Sequence, residues 1–102
     1  MSTGPRNKER AYEHETEIVK AAEAEGMSAR RAWGSDGRAL GLAADVDVEI
    51  DGRVRVQAKR RKRLPAYLQV PASCDAVVFR QDRGEQLVLV RWADWVRMVG
   101  KP

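Results

Sequence analysis

Three polar side chains in one short stretch could do metal-assisted chemistry: Asp45, Gln57 and Lys59. They belong to the segment Asp45 to Lys59, which alternates strictly between polar and apolar residues on either side of Asp51-Gly52. Such alternation around Asp-Gly predicts an antiparallel hairpin. Val46, Val48, Ile50, Val54, Val56 and Ala58 make one apolar face, and Asp45, Asp47, Glu49, Arg53, Arg55, Gln57 and Lys59 make the other. The apolar faces coincide only if the loop holds an odd number of residues. A loop of Ile50-Asp51-Gly52, with Gly52 left-handed, sets Asp45 opposite Gln57 and Lys59 further along the same face. A loop two positions later in register sets Asp47 opposite Gln57 instead. An acid facing an amide and a lysine suits Mg²⁺, which takes hard oxygen ligands and keeps room for water and phosphate oxygens. The same pattern also describes a hairpin whose charged face is simply solvated.

The elements that would position these groups start with a helix. From Lys8 to Glu25, Ala11, Ile18, Val19 and Ala22 form one stripe, with Glu13, Glu17 and Lys20 opposite. Glu15 falls in the middle of the apolar stripe, within about 60° of each of its members at 100° per residue. A buried carboxylate without a partner is costly. Two partners are open to it: an ion pair with Arg31 or Lys59, or a metal shared with Asp45. Gly26 can close the helix as a left-handed cap. Met27 to Trp33 then reads as a strand, followed by Gly34-Ser35 and a glycine-punctuated loop, Asp36 to Leu42. That loop either reaches a ligand as a flexible segment or simply connects two elements. It lacks the Gly-Lys-Ser/Thr ending of a P-loop.

Composition narrows the function classes. The 102 residues carry 19 Lys plus Arg against 15 Asp plus Glu, a net charge of +4. The excess is local: Arg53, Arg55, Lys59, Arg60, Arg61, Lys62 and Arg63 fall within residues 53–63. A cluster of that density suits a polyanion. Elsewhere such a run would read as a localisation signal or a solvated patch. Beside a candidate phosphodiesterase site it reads as phosphate contacts, which position without specifying sequence. Cys74 and His14 are the single cysteine and histidine, which argues against a Cys/His zinc site or a disulfide framework and fits a reducing cytoplasm. No apolar stretch is long enough to span a membrane, and Met1 to Asn7 has no apolar signal core.

The segment from His14 to Gly26, with Arg31-Ala32-Trp33-Gly34-Ser35 and the hairpin after it, resembles the start of archaeal-type Holliday junction resolvases of the PD-(D/E)XK nuclease superfamily. The shared features are a helix Glu eleven residues before a Gly, a strand with Arg ending in Gly-Ser, an Asp, and (Glu or Gln)-x-Lys followed by basic residues. The resemblance covers roughly Glu13 to Lys62. It implies a restriction-endonuclease-like α/β fold and Mg²⁺-dependent cleavage of branched DNA, with Mn²⁺ able to substitute. It gives Asp45 the role of metal-bridging aspartate, Lys59 the place near the attacking water, Glu15 that of the helix glutamate and Ser35 that of the turn serine. The metal set it implies is Asp45, Gln57, the Ala58 carbonyl and Glu15. Arg30, Arg31, Ser35, Arg38, Arg60, Arg61, Lys62 and Arg63 are the candidate DNA contacts. Two departures stand out: Gln57 replaces the usual Glu, and Ala44 replaces the usual Pro before Asp45.

The rest of the chain reads as scaffold. Leu64 to Leu68 suggests a helical turn with Pro65 first. Asp75 to Arg80 and Gln86 to Arg91 predict a second hairpin, and Trp92, Trp95, Val96 and Val99 follow helical spacing. The expectation is a tail at residues 1–7 and one domain at 8–102: an α/β fold with a mixed five-stranded sheet and flanking helices. A chain of this length buries only about 60 to 65 per cent of its unfolded surface, so a homodimer, with Trp92, Trp95 and Val99 offering surface, completes the reading. A non-catalytic DNA-binding or repair module of the same fold is its rival.

Overall fold

The computed structural model describes residues 5–32, 34 and 36–100. The elements are α1 (Pro5–Ala24), β1 (Ala29–Arg31), a 3-10 helix (Gly37–Leu40), β2 (Val48–Ile50), β3 (Val54–Val56), β4 (Ala76–Arg80), β5 (Gln86–Val90) and α2 (Trp92–Gly100). The fold is therefore α/β, but the expected mixed five-stranded sheet is replaced by two antiparallel ones, β1-β2-β3 and β4-β5. Residues 57–75 carry no strand. Pro65 and Pro71 lie among them, and neither can donate to a ladder. Contacts divide the chain into two compact units, Met1–Arg60 and Arg61–Pro102.

In the first unit α1 starts at Pro5, three residues before the expected Lys8. It ends where Gly26 takes φ +81° and the Met27 N–H donates to the Ala22 carbonyl at 3.0 Å, a left-handed cap of the expected kind. β2 is the central strand, with Val48 opposite both Arg31 of β1 and Val56 of β3. Side chains alternate across a sheet. Ala29, Arg31, Val48, Ile50, Val54 and Val56 consequently share the face that α1 covers, and Arg30, Glu49 and Arg55 share the other. The core is Ile18, Ala22, Met27, Ala32, Val46, Val48 and Ile50. Val48 and Ile50 are fully buried, each worth about 1.5 to 3 kcal/mol of transfer free energy.

The hairpin loop sits one residue later than the expected Ile50-Asp51-Gly52. Ile50 pairs with Val54, leaving Asp51-Gly52-Arg53 in the loop. Asp51 and Gly52 have φ +55° and +65°, and the Arg53 N–H donates to Ile50 O at 3.0 Å. Positive φ at both central positions is what a type I′ turn requires. The Asp51 carboxylate also accepts from the Ser28 N–H at 3.0 Å, tying the turn to the start of β1.

In the second unit β4 and β5 pair from Ala76↔Val90 to Arg80↔Gln86, forming the expected second hairpin. The expected helical turn at Pro65 is a single turn closed by the Leu68 N–H on Pro65 O at 2.9 Å. Tyr67 meets Phe79 edge-on at 6.1 Å, and Trp92 stacks on Trp95 at 5.3 Å. Arg91 donates to the Pro71 carbonyl at 2.9 Å, tying the loop to the base of α2. Among the described residues of this unit, Val96 is the one buried hydrophobic side chain.

Candidate active site

The open end of the β2-β3 hairpin departs from a regular ladder. Val48 pairs with Val56, yet the Asp47 N–H also donates to Val56 O, at 2.9 Å, while Asp47 O accepts from the Ala32 N–H at 2.8 Å. In a regular strand the N–H and C=O of one residue point to the same neighbour. Here they point to opposite ones, and two residues of β2 face one of β3, which defines a β-bulge. Strict alternation is interrupted there, and Val46, Asp47 and Val48 are buried, as are Glu49 and Ile50 after them. The bulge turns the Asp47 carboxylate toward β3, where its Oδ2 accepts from the Ala58 N–H at 2.7 Å. The acid brought against the Gln57-Ala58-Lys59 segment is thus Asp47, the acid that the shifted register favours, and the expected pairing of Asp45 with Gln57 is not formed.

Asp45 lies just before the bulge, exposed, in the turn closed by the Val46 N–H on Ala43 O at 3.1 Å. Among the described residues Asp45, Gln57 and Lys59 have no hydrogen-bond or ion-pair partner, and all three are exposed. Ser35 lies outside the described residues. No group of three His, Cys, Asp or Glu among the described residues is arranged to hold a metal.

Glu15 has taken the first of its two open partners. It is buried to 2 % exposure on the α1 face, and Arg31 Nε donates to its Oε1 at 3.1 Å. The Arg31 guanidinium also lies 4.4 Å from the centre of the Tyr12 ring, a cation–π contact that desolvates it further. Arg31 belongs to the helix-facing side of the sheet, so Glu15 is not on the face of Glu49 and Arg55. Breaking a buried ion pair by removing one partner costs more than breaking an exposed one. Arg31→Met should therefore lower the unfolding free energy by about 3 kcal/mol in a urea titration. A loss under about 1 kcal/mol would mean the pair contributes no more than an exposed one.

The other candidate cations divide into tied and untied. Arg30 donates to Glu49 from Nε at 2.8 Å and pairs through Nη2 at 2.7 Å. Arg38 grips Asp36 through Nε and Nη2, the latter at 2.6 Å. The Arg38 side chain, and then its own N–H, hold the Asp36 carboxyl below the ordinary carboxylate value. Asp36 is the N-cap of the 3-10 helix, and Gly41 closes that helix with φ +76°. The segment from Asp36 to Leu42 is consequently a built turn, in place of a flexible reach. Its sequence signal was Asp before a short run that ends in Gly. Arg60 donates to Arg10 O at 3.1 Å and to Glu13 Oε1 at 3.0 Å, which fastens it to α1. Lys62 and Arg63 are exposed and have no partner among the described residues.

At the hairpin end the Asp47 carboxylate is tied to the Ala58 N–H, while Asp45, Gln57 and Lys59 present exposed side chains. Comparison with known proteins finds no match to the chain among family models, curated proteins or solved structures.

Proposed function

We propose that the chain is a metal-dependent, structure-selective DNA endonuclease acting on four-way junctions, as the resolvases it resembles do. The observation that carries this reading is the 2.7 Å contact from Asp47 to Ala58, by which the hairpin end holds the Gln57-Ala58-Lys59 segment against a carboxylate. The helix, strand and hairpin of the first unit are the order expected of a PD-(D/E)XK core. Asp45, the Gln57 side-chain oxygen and the Ala58 carbonyl are hard oxygen donors of the kind Mg²⁺ or Mn²⁺ takes, and they would hold it. The ion, when bound, polarises the scissile phosphate and acidifies a water. Lys59 would donate to the extra negative charge of the transition state and help orient the attacking water. Glu15, paired with Arg31, supports the sheet from its other face.

A second reading is favoured by Gln57 standing where an acid is expected and by the lack of a three-acid cluster among the described residues. In it the module binds DNA without cutting. Incubation of four-way-junction and linear duplex DNA with Mg²⁺ or with EDTA separates the two. Cleavage of the junction in Mg²⁺ alone supports the enzyme, and intact DNA of every form supports the binding module.

Resolution needs two opposed cuts, and one short chain supplies one site, so the active species is a two-fold dimer. Light scattering should give twice 11.5 kDa at micromolar concentration. A monomer with and without junction DNA would move the reading to a single-strand nicking enzyme. The proposed partner is DNA, and no helix among the described residues is long and apolar enough to cross a membrane.

Phosphate contacts should come first from the untied cations. Replacing Lys62 and Arg63 by Ala should reduce the log-log salt slope of duplex binding by about 1.8, at about 0.9 per contact. Arg60→Ala should change it less, because its guanidinium is already engaged by Glu13 and Arg10. Equal effects from both variants would mean that Arg60 leaves α1 to reach DNA.

A further inference from the structure

The β3 strand stops at Val56, but the chain beyond it is still held. In the register Val48↔Val56, the next inward donor, the Ala58 N–H, would meet Val46 O. It meets Asp47 Oδ2 instead, at 2.7 Å. Meanwhile the Val46 N–H turns away to Ala43 O. A side-chain carboxylate has thus replaced a ladder carbonyl at the point where the two strands part. The substitution depends on the bulge, because the bulge is what aims Asp47 across at β3. Asp47 is 7 % exposed and fixed through its own N–H and C=O to both neighbouring strands. It is therefore rigid, and its bond to Ala58 is charge-assisted, stronger than a neutral one.

We infer that Asp47 is a positioning residue: its carboxylate fixes the Gln57-Ala58 peptide, and with it the side chains of Gln57 and Lys59. It does so by accepting a main-chain N–H and is not itself a metal ligand. The catalytic consequence rests on the nuclease reading above, and the bond does not. Gln57 and Lys59 are exposed and lie between the last paired residue of β3 and Arg60, whose side chain is held to α1; among the described contacts, the bond to Asp47 is the one that ties the main chain of that interval.

The test is amide hydrogen exchange by NMR on the ¹⁵N-labelled full chain, without metal. In the wild type, Ala58 should exchange at least about tenfold more slowly than Gln57 and Lys59, as its bond to a charged acceptor requires. Asp47→Ala should speed Ala58 exchange by about ten- to a hundredfold and shift the Gln57 and Lys59 amides, leaving Val48 and Val54 unmoved. Asp47→Asn keeps an accepting oxygen and should restore most of that protection. Fast exchange of Ala58 in the wild type overturns the proposal before any variant is made, so a variant that fails to fold does not shelter it. Equal damage from Asn and Ala also overturns it, since that is the behaviour of a residue acting through its charge. In the cleavage assay, Asp47→Ala should lower kcat with KM for DNA unchanged, and Asp47→Asn should recover it. Loss of Ala58 protection with kcat intact would overturn the positioning role while leaving the nuclease reading standing. No cleavage by the wild type would remove the nuclease reading, and the exchange data would still decide the bond.

Discussion

Asp45→Ala and Lys59→Ala should each abolish Mg²⁺-dependent cleavage of junction DNA while leaving its binding intact. On the proposed nuclease reading the two side chains do different work, so neither can replace the other. A carboxylate that holds the ion supplies both the polarised phosphate and the acidified water. Removing a donor aimed at developing transition-state charge typically costs about a hundred- to a thousandfold in kcat. Lys59 belongs to the second class and should fall in that range, whereas Asp45→Ala should lower activity further because the ion itself leaves. Binding should survive, because affinity comes mainly from phosphate contacts and the untied Lys62 and Arg63 are unchanged in both variants. Single-turnover cleavage and filter binding on the same junction check the two halves. Full activity in Asp45→Ala would pass the metal to Asp47 and overturn the positioning role inferred for it. Full activity in Lys59→Ala would remove the lysine from the mechanism.

What the sequence makes legible is local pattern; what it hides is long-range bonding. The α1 stripe, the Gly26 cap and the existence of both hairpins follow from periodicity and from Gly placement, though not the loop position of the first hairpin. The partner of Glu15 was open between two kinds of answer, and Arg31 is one of those named. The loop of the first hairpin was not decided by pattern at all. A three-residue loop beginning at Ile50 or at Asp51 buries the same apolar residues, so alternation is blind to the choice. The bonds that favour the second are the Arg53 N–H on Ile50 and the Asp51 carboxylate on Ser28, and the latter spans 23 positions. The bulge at Asp47 is hidden for a related reason. Asp45 to Ile50 reads as perfect alternation, yet Asp47 sends its N–H to one side and its C=O to the other, a switch that polar/apolar pattern does not record. The five-stranded sheet was an extrapolation from counting strands. Pairing depends on edges meeting, and the proline-containing stretch after β3 carries no strand between the two hairpins.

Gly37→Ala should destabilise the first unit by about 3 kcal/mol, the upper end of what overpacking costs, and lower the melting temperature by more than about 10 °C. The reason lies in contact, since Gly37 is buried and does not occupy the left-handed region. A Cβ there would stand 2.0 Å from the Ala43 carbonyl oxygen and 2.9 Å from both the Cβ and the O of Val46. Two of the three are main-chain atoms, which cannot swing aside as the end of a side chain can. The Gly37 carbonyl meanwhile accepts from the Leu42 N–H at 2.9 Å, closing the turn on itself. Relief therefore requires the segment 43–46 to move as a piece, and that segment carries Asp45 and leads directly into the bulge. The expected result has two parts: a lower melting temperature and, at temperatures where the variant is folded, reduced cleavage with unchanged DNA affinity. Gly41→Ala is the control. Gly41 has φ +76° with nothing near its missing Cβ, so it should cost only the left-handed penalty of about 1 to 2 kcal/mol. If the two variants melt together, the close approach of residue 37 to residues 43 and 46 is not what holds the turn.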